Sequence, residues 1–367
     1  MKSAAAVLTG ERSIEIRDFD VPSVGADDAV LRVEATGVCG ADFDPLYLGR
    51  GPQPRIGPLV LGHEIAGRIH HIGDEATSRW GVAEGDLVVV EEDVPCGRCR
   101  LCRSGRYRMC NGLAGGEGRR YGFTSVDVAP HLWGGFSDFM YLSPNSVVHR
   151  VPDGVPAHRA PLFLPISNGV EWVQRYGRLP PGGTVVVQGP GQHGLGCVIA
   201  ASEAGASMII VSGAANDARR LELAKRLGAD AVVDVSEEPL VERVRELTGG
   251  LGVDVVVDAT HGAAAPVRDG VRMAAVGGVV VVAGLKMGRV EVDTDALIVK
   301  DVSLVGANGH DLVSVGAALR ILEDDQYPFD VLCTHTFTVP EAERAVMTVG
   351  GEGDPDPVHV TVVPAHG

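Results

Sequence analysis

The feature that most constrains this fold is an alternation of short β-branched runs and helix-period segments that begins at Thr184. The runs are TVVVQ, MIIVS, AVVDV, VDVVVDAT, VVVVAG and VSLVG, and the helical segments between them include Gly194–Ala204, Asp217–Leu227, Leu240–Leu247 and Ala263–Ala275. Apolar strands that alternate with helices form a parallel sheet with helices on both faces. The sequence therefore predicts an α/β domain with a doubly wound, six-stranded parallel sheet.

The first 155 residues have a different pattern. Short apolar runs such as AVLRVEATG and DLVVVEE are interrupted by glycine and proline, and helical periodicity is weak. This pattern predicts a β-rich domain with irregular lobes. Strand-like runs return at Val331–His335 and Val358–Val363, so the C-terminal segment is expected to rejoin the first domain. The expected divisions of the chain are 1–155, 156–300 and 301–367.

Charge and apolar runs exclude several classes of partner. With 32 Lys and Arg against 48 Asp and Glu, the net charge is −16, and such a chain lacks the basic surface that neutralises nucleic acid. The longest apolar runs, Val253–Ala259 and Val276–Leu285, are shorter than the roughly 20 residues that span a bilayer. Glu11 comes too early for a signal-peptide core. We expect a soluble cytoplasmic protein with no nucleic-acid or membrane partner.

A glycine-rich turn follows the first strand of the alternation. The run Thr184–Gln188 leads into GPGQHGLG, whose Gly189, Gly191 and Gly194 form the pattern G-x-G-x-x-G. At such a turn the glycines allow close backbone approach, and the helix N-terminus attracts a pyrophosphate. The turn predicts a dinucleotide cofactor, and His193 either reaches a phosphate or is a solvated turn residue. The expected cofactor contacts are Gly189, Gly191, His193, Gly194, Leu195, Gly213, Asn216, Arg219 and Asn168.

The second strand leaves the choice between NAD and NADP open. An acid at its tip usually binds the adenosine ribose hydroxyls, but here the strand ends at Ser212-Gly213 without a carboxylate. Asp217, on a longer loop, is one substitute and would favour NAD. Arg219 or Arg220 would instead bind a 2′-phosphate and favour NADP.

Four of the seven cysteines crowd into one short segment. Cys96, Cys99, Cys102 and Cys110 have the spacing C-x2-C-x2-C-x7-C. Without an export signal, this clustering favours a metal over disulfides, and one loop can wrap four thiolates around a tetrahedral zinc. Because four thiolates leave no open position, the predicted zinc, in a lobe at about residues 91–112, is structural. Interleaved arginines are expected to form a solvated surface: Arg98, Arg100, Arg103, Arg106 and Arg108.

A second set of candidate ligands is more open. Cys39 in TGVCGAD and the pair His63-Glu64 in LGHE combine a thiolate, an imidazole and a carboxylate. These donors suit a zinc that polarises an alcohol and lowers its pKa. Taken alone, Cys39 is equally compatible with a buried core cysteine, and His63 with a turn histidine.

Five motifs occur in the order typical of one family: GVCGAD, PLVLGHEIAGRI, GDLVVVEEDVPCGRCRLCRSGRYRMC, WGGFSDF and GPGQHGLG. The chain resembles the zinc-dependent medium-chain alcohol dehydrogenases over essentially its whole length, nearest to the sorbitol and threonine dehydrogenase branch. The resemblance implies a GroES-like catalytic domain formed by the N-terminal part and the C-terminal tail, with a Rossmann domain inserted. It further implies that Cys39 and His63 are catalytic zinc ligands, that Glu64 is an adjacent or exchangeable ligand, and that Asp42 supports them.

Three positions depart from the family pattern. Leu164, in LPISNG, stands where the family has the third zinc ligand, and its side chain cannot bind zinc. Ala41 stands where a serine or threonine relays the alcohol proton, so the relay needs another group or water. Asp44 stands where a histidine is frequent, and it either carries the proton out or caps a turn before Pro45.

Three functions remain as hypotheses. The leading one is an oxidoreductase that transfers a hydride between an alcohol or ketone and NAD(P), assisted by zinc. The second is a zinc-independent NAD(P)H-dependent carbonyl or alkene reductase, and the third is a dinucleotide-binding protein without catalysis. The pocket is expected to include Ala41, Asp44, Trp133 and Leu164, which favours an apolar or bulky substrate over a polyol. The resemblance also implies a homodimer or homotetramer.

Overall fold

The computed structural model describes residues 1–51, 57–115 and 119–365, and the chain divides into two compact units. The first unit comprises 1–163, 319–324 and 333–367, and the second comprises 164–318 and 325–332. The second unit thus begins after the expected boundary at 155 and continues past the expected end at 300. It continues because the last strand of its sheet lies at Ser303–Gly306.

The first unit consists mainly of strands. Its strands are β1 (Lys2–Gly10), β2 (Ser13–Asp20), β3 (Ala29–Gly37), β4 (Leu59–Val60), β5 (Glu64–Ile72), β6 (Leu87–Val90), β7 (Asp93–Val94), β8 (Arg119–Arg120), β9 (Phe139–Leu142), β10 (Val148–Arg150), β17 (Cys333–Thr338) and β18 (His359–Val363). Its helices are α1 (Asp74–Trp80), α2 (Arg100–Arg103), α3 (Asn111–Gly115) and α11 (Ala342–Val349), and shorter helical turns lie at Asp42–Tyr47, Tyr107–Met109, Ala160–Leu162 and Val339–Glu341.

One mixed sheet organises this unit. Within the described ranges its strand order is β10-β6-β5-β3-β18-β17, and β9 also pairs with β3. The last two strands of the chain pair in parallel, and β18 pairs antiparallel with β3. The C-terminal segment therefore completes the N-terminal sheet. Ile65, Met140 and Leu142 are fully buried against this sheet and form part of its apolar core.

The second unit alternates strands and helices. Its strands are β11 (Thr184–Gln188), β12 (Met208–Gly213), β13 (Ala231–Asp234), β14 (Val253–Asp258), β15 (Ala274–Val282) and β16 (Ser303–Gly306). Its helices are α4 (Phe163–Gly169), α5 (Gln192–Glu203), α6 (Ala218–Arg226), α7 (Leu240–Leu247), α8 (Ala265–Met273) and α9 (Thr294–Lys300), with helical turns at Val170–Tyr176, Ala215–Asp217 and Phe329–Val331. Helix α10 (Leu312–Asp324) begins in the second unit and ends in the first.

The sheet of the second unit is parallel, with the order β13-β12-β11-β14-β15-β16. Its central strands are buried on both faces, and Val186, Val256 and Val280 have no exposed surface. The expected fold class is confirmed. Helix α8 is shorter than the predicted 263–275, because Ala274 already pairs with Val253 as the first residue of β15. No helix within the described residues is both long and apolar enough to cross a membrane.

Candidate active site and zinc centre

The four clustered cysteines come together in the first unit. The sulfur atoms of Cys96, Cys99, Cys102 and Cys110 all lie within 4.8 Å of one another. Two of the distances are 3.4 Å, from Cys99 to Cys102, and 3.9 Å, from Cys99 to Cys110. Thiolates at 2.3 Å from a tetrahedral zinc are about 3.8 Å apart. The donor set therefore fits one zinc ion.

Backbone N–H groups support the thiolate form of this cluster. Cys96 N and Gly112 N lie 3.3 and 3.2 Å from Cys110 Sγ. Hydrogen bonds from Cys102 N and Asn111 N lower the pKa of Cys99 to about 6. Such donors orient metal ligands and stabilise their charge. The loop is therefore built to bind a cation with its sulfur atoms.

Buried polar contacts hold the lobe on the sheet. The Tyr107 hydroxyl donates to Glu91 at 2.7 Å, and His149 Nε2 lies 2.8 Å from the same fully buried carboxylate. Arg108 Nη2 donates to Glu92 at 2.9 Å, and the Arg108 side chain is only 9% exposed. The expectation that all five lobe arginines are solvated was therefore wrong for Arg108, because its guanidinium pairs with acids beneath the loop.

The second candidate metal set also assembles in the first unit. Cys39 lies two residues beyond the end of β3, and Glu64 begins β5. Because Gly37 pairs directly with Glu64 across these strands, the two segments meet at one end of the sheet. Cys39 Sγ and a Glu64 carboxylate oxygen lie within 4.8 Å of each other, and the His63 ring hydrogen-bonds with the Cys39 thiol. A thiolate, an imidazole and a carboxylate thus share one site.

Asp42 supports this site without belonging to its donor set. Its Oδ2 accepts a hydrogen bond from Cys39 N at 2.9 Å, and its Oδ1 lies 3.5 Å from His63 Nδ1. Asp42 is fully buried and His63 is 5% exposed. A carboxylate beside one ring nitrogen fixes the orientation of a metal-binding histidine. Asp42 therefore orients Cys39 and His63, two of the three candidate zinc ligands.

Burial and hydrogen-bonded neighbours shift the pKa values of Cys39 and His63 in opposite directions. Burial raises the pKa of Cys39, while the contact with His63 lowers it. Burial lowers the pKa of His63, but the charge and hydrogen bonding of Asp42 outweigh it, so the pKa of His63 lies well above its usual value. The pair is thus electrostatically coupled before any metal binds.

The glycine at position 37 creates the space for Glu64. A Cβ on Gly37 would collide with the Glu64 carboxylate and would lie 2.9 Å from His359 Cε1. Glu64 and His359 are both fully buried. A residue with a side chain at position 37 would therefore displace the carboxylate from the site.

Asp44 and Leu164, which depart from the family pattern, and Trp133, which was expected in the pocket, lie in different surroundings. Asp44 lies on the helical turn Asp42–Tyr47, where its side chain is 18% exposed and 3.5 Å from Arg50. Leu164 is buried in the second unit and offers no metal-binding atom. Trp133, expected in the pocket, is 4% exposed and stacks on Tyr121 in the core of the first unit.

The glycine-rich turn has the expected geometry. Gly189 has φ +92, a value that favours glycine, and Gly191 precedes the first residue of α5. A Cβ on Gly194 would collide with the Gly189 carbonyl. The Leu195 N–H donates to Gly191 O at 2.9 Å, and its buried side chain, 1% exposed, packs the helix on the sheet.

His193 is held by a chain of hydrogen bonds within the second unit. Asn168 Nδ2 lies 3.2 Å from His193 Nδ1, and Asn168 Oδ1 lies 2.9 Å from His310 Nδ1. The Asn168 side chain therefore contacts both histidine rings and fixes their positions relative to each other. Trp172 packs 5.5 Å from the His193 ring. Sequence reasoning missed His310, because an isolated histidine without motif spacing carries no signal.

The Asp217 carboxylate lies beside the end of β12, where the strand itself carries no acid. A Cβ on Gly213 would lie 3.2 Å from Asp217 Oδ2, so the Asp217 side chain occupies the space beside the strand end. Asp217 also accepts hydrogen bonds from Ala214 N and from Arg220 Nη1. Asn216 and Arg219 are exposed beside it.

Comparisons with known proteins agree with this architecture. Residues 25–153 match the alcohol dehydrogenase GroES-like domain, and residues 194–323 match the zinc-binding dehydrogenase domain. A probable alcohol dehydrogenase of Mycobacterium tuberculosis is 40% identical over 367 residues, covering 98% of both chains. Sorbitol dehydrogenase of Bacillus subtilis is 34% identical over 74% of both chains. A putative zinc-binding dehydrogenase from Sinorhizobium meliloti, solved bound to NADP, is 26% identical and covers 99% of this chain and 100% of its own, with a TM-score of 0.86.

The chain therefore belongs to the zinc-dependent medium-chain alcohol dehydrogenase family. It is an oxidoreductase that uses NAD(P) and zinc and acts on CH–OH groups. The leading functional hypothesis is confirmed over the zinc-independent reductase and the non-catalytic binding protein.

Proposed function

We propose that Cys39, His63 and Glu64 hold the catalytic zinc of an alcohol dehydrogenase that prefers apolar or bulky alcohols. The observations that carry the proposal are the closeness of Cys39 Sγ to a Glu64 carboxylate oxygen, within 4.8 Å, and the hydrogen bond of the His63 ring with Cys39, with Asp42 beside both Cys39 and His63. Zinc in such a site acts as a Lewis acid that lowers the pKa of a bound alcohol. The structural zinc belongs to the separate set of four cysteines.

Asp42 orients two of the proposed zinc ligands, Cys39 and His63. Its carboxylate holds the backbone of Cys39 through one oxygen and faces the His63 ring with the other. Both donors are therefore fixed before substrate arrives, so little reorganisation is needed in the reaction.

Proton release needs a group other than residue 41, because Ala41 has no hydroxyl. Asp42 is buried and already engaged, whereas Asp44 lies on the same helical turn and is partly exposed. We assign to Asp44 the transfer of the alcohol proton to solvent, through water.

The cofactor site we propose lies at the start of α5. The turn at Gly189 and Gly191 brings the backbone close to a pyrophosphate, and the unpaired N–H groups of the helix N-terminus favour its charge. His193, whose ring is held by Asn168, is the side chain at this helix start that would contact the same phosphates. Asp217 and Arg219 flank the adenosine ribose.

The substrate preference follows from two substitutions of polar by apolar groups. Ala41 and Leu164 stand where the family uses a hydroxyl and a charged or polar ligand. A polyol would lose hydrogen bonds to water there without gaining new ones.

We expect an alcohol-dependent increase in absorbance at 340 nm, from the reduced cofactor, when NAD or NADP is supplied. The ratio of kcat/KM for a hydrophobic alcohol to that for sorbitol should be at least about tenfold, because unsatisfied hydroxyl groups oppose polyol binding. A panel of alcohols matched in chain length, tested with both cofactors, measures this ratio. Equal or better turnover of polyols would contradict the substrate assignment.

The edge of the second unit's sheet supports a homodimer. Strand β16 ends the strand order and is largely exposed, and Leu304 on it is 37% exposed. On the preceding helix, Ile298 and Val299 are 77% and 81% exposed. An unpaired apolar edge favours pairing with another strand, and a two-fold axis pairs the same edge of two copies.

We expect Val299→Glu to convert the dimer into a monomer, because two buried charges would face each other across the two-fold axis. Size-exclusion chromatography with light scattering measures the mass. Leu251→Glu is the matched control, since Leu251 is 80% exposed outside this edge. A wild-type monomer, or a Val299→Glu variant with unchanged mass, would refute this interface.

A cytoplasmic location fits the cysteine chemistry. All seven cysteines lie in the described ranges and none forms a disulfide there. A reducing compartment preserves thiolate ligands. Cell fractionation tests this location.

A further inference from the structure

A buried charge pair lies at the carboxyl end of the parallel sheet, outside the residues used so far. Asp258 is the last residue of β14 and is fully buried, and the Lys286 side chain, in the loop after β15, is 8% exposed. Lys286 Nζ lies 2.9 and 2.8 Å from the two oxygens of Asp258. It also donates to Thr260 Oγ1 at 2.9 Å and to Thr260 O at 2.6 Å. We call Asp258, Thr260 and Lys286 the lysine clamp.

The lysine clamp joins two loops that are also connected through their backbones. Ala283 N and Gly284 N both donate to Asp258 O at 3.0 Å. Gly262 N donates to Leu285 O at 2.9 Å. The loop after β14 and the loop after β15 are therefore one connected surface.

A third loop, the glycine-rich turn, contacts the same surface. Ala259 N donates to Gln188 O at 3.0 Å, at the end of β11. A Cβ on Gly189 would lie 3.0 Å from Thr260 Cγ2, so the first glycine of the cofactor turn packs directly on Thr260. This contact is made by the Thr260 methyl group, which is separate from the hydroxyl and carbonyl that accept from Lys286.

The position in the sheet indicates which part of the cofactor is affected. The strand order reverses between β11 and β14, and Gln188 pairs with Asp258 across this boundary. A dinucleotide binds at the carboxyl ends of the strands at this point, with one mononucleotide over each half of the sheet. The strand β12 tip takes the adenosine ribose, so β14 and β15 lie under the nicotinamide mononucleotide.

The ammonium group of Lys286 is surrounded by acceptor oxygen atoms of Asp258 and Thr260. Lysine has three donors, and four acceptor oxygens surround them. Lys286 therefore orders the loops rather than binding a ligand itself. Removal of either charge leaves the other buried without its partner, which is strongly unfavourable.

We propose that Lys286, acting through Asp258 and Thr260, is a positioning residue for the nicotinamide half of the cofactor. The clamp holds the two loops that face this half. It makes no contribution to the adenosine half, which lies over β12 and β13.

The test compares two ligands on the same variants. Binding of the tighter of NADH and NADPH is measured by fluorescence, and binding of ADP, or its 2′-phosphorylated analogue, by calorimetry. Thr260→Val preserves shape but removes the hydroxyl, and Lys286→Met removes the cation. In both variants we expect the Kd for the reduced cofactor to rise, by about tenfold or more for Lys286→Met, with the Kd for ADP changing by less than about twofold.

Two further variants separate positioning from general loss of structure. The double variant Asp258→Asn with Lys286→Met leaves no buried charge without a partner. It replaces Lys286→Met in the test if that single variant does not fold. We expect it to bind the reduced cofactor as weakly as Lys286→Met does. Lys300→Met is the matched control, because Lys300 donates to Val271 O and Ala274 O at the opposite end of β15. It should leave both Kd values unchanged.

Equal weakening of both ligands, or no change in either, would overturn the proposal. Full recovery of cofactor binding in the double variant would overturn it as well, because the orphan charge and not the lost clamp would then be the cause. These binding measurements need no turnover, so they stand independently of the alcohol and of the catalytic zinc.

Discussion

Replacing Cys99 with serine is expected to remove one zinc ion per chain and to lower the melting temperature by more than about 5 °C. Cys99 Sγ belongs to the cluster and lies 3.4 Å from Cys102 Sγ and 3.9 Å from Cys110 Sγ. Binding of zinc by four cysteines contributes about 10–16 kcal/mol to the folding of small zinc domains. Here the effect is limited to the free energy that holds the lobe in place.

Metal analysis of the purified variant and a thermal melt measure this effect. Cys333→Ser is the control, because Cys333 lies outside the cluster, where its Sγ is 3.7 Å from His158 O. It should retain the full zinc content. A Cys99→Ser variant with unchanged zinc and unchanged melting would show that the four cysteines do not bind the ion.

Replacing Glu64 with glutamine is expected to empty the catalytic site and reduce kcat by at least about 100-fold. The neutral amide is a poor zinc ligand, and Cys39 and His63 alone provide one donor fewer than open zinc sites use. Glu64 is fully buried, so its loss is not compensated by another group entering from solvent. The lobe zinc should remain, so the metal content falls by one ion per chain.

Two comparisons sharpen this prediction. Asp42→Asn keeps the three donors but weakens the charge beside His63, and we expect a 10- to 100-fold loss, as is typical of groups behind metal ligands. Glu34→Gln is the control, because Glu34 lies on the neighbouring strand β3 but pairs with Arg32 near the surface. Mild chelation of the wild type should remove activity before the lobe zinc, since three mixed ligands bind more weakly than four thiolates. Intact metal content and turnover in Glu64→Gln would show that Glu64 is not a ligand of the catalytic zinc.

The alternation of strands and helices could be predicted well because it depends on local periodicity. Helix α7 occupies Leu240–Leu247 as expected, and all six strands appear in the parallel sheet. The end of α8 was placed two residues too late, since pairing of Ala274 with Val253 overrides the helical pattern. Cross-strand pairing is a long-range interaction that no local window contains.

In the candidate sites too, features that depend on local spacing were predictable and features that depend on long-range contacts were not. The cysteine spacing and the glycine pattern predicted which residues would assemble, because each lies within one short segment of chain. The interpretation failed where burial decides the role, because Arg108 pairs with acids beneath the lobe. Asp217 reaches the tip of β12 only because the chain turns back there.

The sequence by itself determined the order of the elements, the structural zinc ligands and the cofactor turn, because these depend on spacing along the chain. Only the tertiary structure decided that Gly37 makes room for Glu64 and that Lys286 meets Asp258. The last two residues are far apart in sequence and share no motif. Their contact arises from the parallel register of neighbouring strands, which brings the loops at the same end of the sheet together.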